Sequence, residues 1–195
     1  LISGAMRELG FGNPKHLDVD CGPVINSAAQ IKLRNYIDQA RQNNQVIEEL
    51  DFESINGHFV SPTLIRLDSI DDINEEFFGP VLHVLSYKNG DLEKTIDQLN
   101  SKGFGLTFGI HSRIEKKVKE ISSRVNAGNI YINRNQIGAV VGSQPFGGEG
   151  LSGTGPKAGG PNALHGYSKN MLCSEKSNHK IRFSDGPGKV QKLSS

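Results

Sequence analysis

The sequence predicts an α/β fold in which helices flank a sheet, with largely parallel strand pairing in the second half. Three observations carry that prediction. Short β-prone runs alternate with amphipathic helical stretches, and the connections between them are short. A length of 195 residues suits one principal domain with a sizeable core. Residues 138–161, GAVVGSQPFGGEGLSGTGPKAGGP, hold nine glycines just after an apolar strand candidate at 129–132. Ligands of open α/β sheets sit beyond the carboxyl ends of the strands, so this loop is where a site is expected.

Each element has its own signal. Ile2, Met6 and Leu9 share a helical face that Gly10 ends, so the chain reads as beginning inside an element and as a piece of something longer. Ser27 followed by Gln30 has the form of a capping box, and Ile31, Tyr36, Ile37 and Ala40 extend an apolar stripe, which predicts a helix over 28–43. Val46-Ile47, Phe59-Val60 and Thr63-Leu64-Ile65 are short β-prone runs, and 81–87 is a stronger strand. Asp91 is placed to cap a helix that packs Leu92, Ile96 and Leu99, with Gly103 ending it before a strand at 106–110. Ser112 and Glu115 form a second capping-box pattern. The helix they open turns Ile114, Val118 and Ile121 inward and leaves Lys116, Lys117, Lys119 and Glu120 to solvent. Gly128 then leads into strand 129–132.

Composition excludes several classes of function. Twenty-two Lys plus Arg against 21 Asp plus Glu leave a formal charge of +1, so no global field recruits nucleic acid. No apolar run reaches the length of a membrane span. Six Lys/Arg against two acids in residues 166–195 mark a basic, Ser-rich tail. Cys21 and Cys173 stand far apart without metal-ligand or redox spacing, and the six histidines show no i, i+4 pair, so a reducing cytoplasm is expected and no metal site is readable. Asp18 and Asp20 oppose a thiolate at Cys21, which argues against a nucleophile there.

The glycine-rich loop is not a flexible linker, because Val140, Val141, Pro145, Phe146 and Leu151 are interspersed in it. Nor is it a known phosphate loop. Pro156 occupies the position a Walker A lysine would need, and Gly153, Gly155 and Ala158 match G-x-G-x-x-A without the preceding strand or the acidic residue about 20 positions on. Glu75-Glu76-Phe77-Phe78-Gly79-Pro80 is more specific. One reading is an acidic turn whose phenylalanines anchor the next strand. The other uses Glu76 as a hydrogen-bond acceptor for ribose hydroxyls and Phe78 as a flat face beside a nicotinamide.

Read together, E-x-F-G-P at 76–80, P-F-G-G at 145–148 and S-G-x-G at 152–155 resemble the aldehyde dehydrogenase superfamily. Within it, NRNQIGAVVGSQPFGGEGLSGTGPKAGGP at 133–161, with DCGPVIN at 20–26 and GLTFGIHSRI at 105–114, is similar to the glutamate semialdehyde dehydrogenase module of bifunctional proline utilization A proteins. The resemblance covers about residues 1–165 and implies the three-layer catalytic domain of that fold, with residues 166–195 as a tail.

It also implies NAD-dependent oxidation of L-glutamate γ-semialdehyde, the open form of 1-pyrroline-5-carboxylate, to L-glutamate. Glu76 would bind the nicotinamide ribose and Phe78 would pack beside the nicotinamide. Gly138 and Ala139 would hold the substrate α-carboxylate through backbone N–H groups, and Phe146 would pack on its aliphatic stem. Family chemistry adds a nucleophilic cysteine and a glutamate that activates water. Both are expected upstream of Leu1, so the chain alone is expected to be inactive. The same resemblance implies a homo-oligomeric, cytoplasmic protein, peripheral membrane association of the longer chain being left open, with FAD confined to a proline dehydrogenase domain elsewhere. Another aldehyde dehydrogenase subclass, or a non-catalytic binding or oligomerisation module of the same fold, stays open at this point.

Overall fold

The computed structural model describes residues 1–51, 56–136, 144–153, 157–161 and 163–166, together with three short strands near the end of the chain. It divides into two compact units, Leu1–Asp91 and Leu92–Ser195.

The first unit is built on a long helix and a three-stranded sheet. Helix α1 spans Ile2–Met6, α2 Ser27–Gln42, and strands β1 Val46–Glu49, β2 Thr63–Arg66 and β3 Val81–Val84 lie in the order β1-β2-β3. β2 pairs antiparallel with β1 and parallel with β3, so β2 is central. Its burial reflects that position: Thr63, Leu64 and Ile65 are all buried, and Ile65 is fully so. Helix α2 covers this sheet through Leu33, Ile37 and Ala40, whose i, i+4, i+7 spacing makes one apolar stripe. Leu33 and Ile37 close on Val60, with Val24, Phe77 and Val81 packed around them. Phe59 and Val60 are buried loop residues before β2 rather than a strand.

The cap of α2 differs from the sequence expectation. Asn26, in an extended conformation, is the N-cap, and its side chain accepts from Ala29 N at 2.9 Å. Ser27 is the first helical residue. β3 also ends three residues earlier than predicted, because its partner runs out: Val84 pairs with Arg66, the last residue of β2.

The second unit carries α3 Leu92–Ser101, β4 Phe104–Gly105, β5 Thr107–Ile110, α4 Glu115–Arg124, β6 Asn129–Ile132, β7 Glu149–Gly150 and α5 Ala163–Gly166. β5 and β6 are parallel neighbours joined by α4, as the alternating pattern predicts. Ile96 of α3 is almost fully buried, whereas Leu99 is 37% exposed. In α4, Val118 is buried and Ile114 stands outside as an exposed N-cap residue. Ser112 does not cap this helix; its hydroxyl accepts from Ile114 N and so closes a turn ahead of it. Beyond α5, strands β8 Leu172–Ser174, β9 Lys180–Phe183 and β10 Val190–Leu193 form an antiparallel meander in the order β10-β9-β8.

Candidate functional site

In the first unit, the segment leading into β3 alternates its side chains between α2 and solvent. Glu75 pairs with Lys32 at 2.5 Å. Phe77 stacks on Tyr36 with centroids 4.0 Å apart and an interplanar angle of 22°. Lys32 and Tyr36 are one helical turn apart, so one face of α2 engages both odd-numbered residues. The Lys32 ammonium also stands 5.8 Å from the Phe77 ring centre. Glu76 and Phe78, at the even positions, are exposed, and Phe78 is 80% exposed.

Behind Phe77, the Tyr36 hydroxyl and His83 Nε2 are 2.7 Å apart. Burial lowers the His83 pKa and so favours the neutral ring, which accepts from the hydroxyl when its proton is on Nδ1. Burial, and secondarily the charge of Asp72, raise the Tyr36 pKa and keep its donor proton in place. Gly79 then lets the chain turn against α2. A methyl group there would lie 2.4 Å from Leu33 Cδ1, a side chain held in the core. The backbone continues into the sheet through Pro80 O, which accepts from Thr63 N at 2.9 Å. The result is an open carboxylate and an open aromatic face, two residues apart, on a braced turn. Such a pair can accept hydrogen bonds from vicinal hydroxyls while stacking on a planar heterocycle.

In the second unit, Phe146 is half-buried and its backbone is fixed on both sides. It forms an antiparallel bridge with Ala158, with N–H to O distances of 3.1 and 2.9 Å. The Asn129 amide at the start of β6 clamps its neighbours: Nδ2 donates to Pro145 O at 3.0 Å, and Oδ1 accepts from Gly147 N at 3.1 Å. Asn129 is a positioning group that sequence reasoning missed, since a strand-initiating Asn carries no signal of a partner 16 or 18 residues on. Ser152 is tied in as well: its Oγ accepts from Gly105 N at 3.1 Å. Gly150 has φ +60, and a side chain there would meet Gly103 O at 2.4 Å. Gly138 and Ala139 lie outside the described residues.

Cys21 is built into a loop rather than poised for attack. Its N–H donates to Gly10 O at 3.0 Å and its carbonyl accepts from Gly12 N at 3.2 Å. Burial first, then the Asp20 charge, raise its thiol pKa. Among the described residues no group of His, Cys, Asp and Glu could hold a metal ion, and no helix is long and apolar enough to cross a membrane.

Comparison with known proteins gives these features a context. The chain is 46% identical over 172 residues to the bifunctional protein PutA of Klebsiella aerogenes, covering 85% of this chain and 13% of that one. It superimposes on a crystal structure of a proline utilization A mutant from Bradyrhizobium japonicum with a TM-score of 0.77 at 45% identity, over 84% of this chain and 17% of that one. A 1-pyrroline-5-carboxylate dehydrogenase from Thermus with bound NAD gives a TM-score of 0.71 at 32% identity, over 80% of this chain and 30% of that one. The chain thus spans only about an eighth of the length of the curated PutA relatives it matches. The profile described as the aldehyde dehydrogenase family matches residues 2–171, which takes in the Glu76–Pro80 turn, the Phe146 loop and both parallel strand pairs, so the chain belongs to that family.

Proposed function

We propose that this chain is the larger part of the catalytic domain of an NAD-dependent L-glutamate γ-semialdehyde dehydrogenase of the proline utilization A type. Residues 1–165 form the domain portion and residues 166–195 its tail. The observation that carries the reading is the exposed Glu76–Phe78 pair on its braced turn. Its carboxylate suits the nicotinamide ribose and its ring suits the nicotinamide of NAD. NAD, when bound, accepts the hydride that leaves the substrate. The bound-NAD Thermus relative supports that choice of cofactor.

On the substrate side, Gly138 and Ala139 offer backbone N–H groups to the α-carboxylate, and Phe146, fixed by Asn129, walls the aliphatic stem. The nucleophilic cysteine and the water-activating glutamate belong to other parts of the longer polypeptide, so the chain alone is inactive. That polypeptide is a cytoplasmic homo-oligomer, and its FAD-dependent proline dehydrogenase activity resides in a separate domain.

The test is NADH formation by the full-length polypeptide supplied with 1-pyrroline-5-carboxylate. Gly138→Leu should raise KM for this substrate at least roughly tenfold, the loss expected when a charged hydrogen-bond acceptor goes unmet, with KM for NAD unchanged. Oxidation of an aldehyde of similar length without an α-carboxylate should lose far less. Equal losses for both aldehydes would remove the carboxylate-anchor assignment.

A further inference from the structure

The even-numbered residues of the 75–78 segment carry the cofactor reading above; the odd-numbered ones carry its placement. The geometry points to Phe77, seated on Tyr36, as the positioning residue that sets where the nicotinamide end of the dinucleotide lies; this inference rests on the proposed NAD site. The segment has no helix or strand of its own to hold it. What fixes it laterally is side-chain contact with α2: the Glu75–Lys32 ion pair, exposed at both ends, and the Phe77–Tyr36 stack.

Of the two, the ion pair is solvent-screened and contributes little. The stack is partly buried: Phe77 packs against Leu33, Ile37 and Val60, and Tyr36 against Ala40, Ile65 and Leu67. Its partner ring is fixed by the 2.7 Å bond to His83, whose own ring meets Tyr36 edge-on at 5.6 Å. Phe77 is therefore held from two directions, by a helix ring and by a strand imidazole 6.0 Å away. Its neighbours on either side are the two residues assigned to the nicotinamide riboside. Phe77 is half-buried against α2 while Glu76 and Phe78 on either side of it are exposed, so the residue seated inward sets where the two outward ones stand.

The experiment compares NAD with ADP as ligands of the full-length polypeptide, measured by calorimetry. ADP lacks the nicotinamide riboside and reports only the distant half of the site. Phe77→Leu keeps the apolar bulk and loses the flat stack. It should weaken NAD binding several-fold, up to about tenfold, and leave ADP binding within about twofold, with Phe77→Tyr restoring NAD affinity. Tyr36→Leu should reproduce the Phe77→Leu pattern.

Parallel weakening of NAD and ADP would overturn the inference, since a general loss of fold would do that. It would equally be overturned if Phe77→Leu bound NAD as tightly as the parent while Glu76→Gln did not. If Glu76→Gln and Phe78→Ala both left NAD binding unchanged, the cofactor reading itself would fall, and with it the positioning role. Should Tyr36→Leu not fold, Phe77→Leu and Phe77→Tyr decide alone.

Discussion

His83 sits where burial works against its charge, and the sign of the resulting pH effect follows from that. Its folded pKa lies below the ordinary value of 6.5, because desolvation penalises the imidazolium. The folded state then binds fewer protons than the unfolded state near that pH, so stability is fully present above about 6.5 and falls as pH drops through the folded pKa. Protonation also changes the partner of Tyr36, since Nε2–H can no longer accept from the hydroxyl. Urea unfolding of the parent should show a lower midpoint at pH 5.5 than at pH 7.5. His83→Gln, which stays neutral, should flatten that difference; an unchanged pH slope in the variant would assign the effect to other groups. At neutral pH, Tyr36→Phe should cost about 1 kcal/mol, the net worth of one such hydrogen bond. None of this was legible in the sequence. Histidine 83 and tyrosine 36 are 47 positions apart, and nothing in the local pattern pairs them. The E-x-F spacing singled out Glu76 and Phe78, both of which are exposed, but gave no sign that Phe77 is seated on Tyr36, because that depends on which ring α2 reaches.

Helix α2 supports the sheet side of this arrangement, and its start is open to a direct comparison. The Asn26 side chain satisfies Ala29 N, one of the donors that every helix N-terminus leaves unpaired, whereas Ser27 already lies within the helix. Asn26→Ala should therefore cost about 1 kcal/mol in thermal or urea unfolding, and Ser27→Ala less than about 0.5 kcal/mol. The reverse order would restore Ser27 as the cap. The helix itself was readable, residues 28–43 expected and Ser27–Gln42 found, and Ile37 and Ala40 of the expected stripe are buried, whereas Ile31 is exposed and Leu33 takes the inward place instead. Cap identity was not, since Asn26, Ser27 and Ser112 all have side chains that can bond nearby N–H groups, and local backbone angles decide among them. Strand ends were similarly out of reach. Residues 85–87 are as β-prone as those before them, yet β2 stops at Arg66 and offers no backbone partner. Ile114, counted inward by its spacing, stands outside because α4 begins one residue later.

At the scale of the molecule, the proposed function puts the cofactor turn in the first unit and the substrate wall in the second, and Cys21 is not an activated thiol. That can be tested directly on Cys21, the one cysteine whose surroundings are described. A nucleophile requires a thiolate near neutral pH, reached by a lowered pKa or an adjacent base. Cys21 has the opposite setting: burial and Asp20 both favour the neutral thiol, and its backbone is engaged with Gly10 and Gly12. In the full-length polypeptide, Cys21→Ser should retain kcat for 1-pyrroline-5-carboxylate oxidation within about twofold. A nucleophile lost in that way would instead cost many powers of ten. Alkylation supplies a second readout. At pH 7, iodoacetamide should label Cys21 more slowly than a free cysteine, whose pKa is about 8.5, and the rate should climb only at higher pH. Abolition of turnover by Cys21→Ser, together with rapid labelling at neutral pH, would place the catalytic thiol inside this chain and overturn the proposal that the nucleophile lies elsewhere.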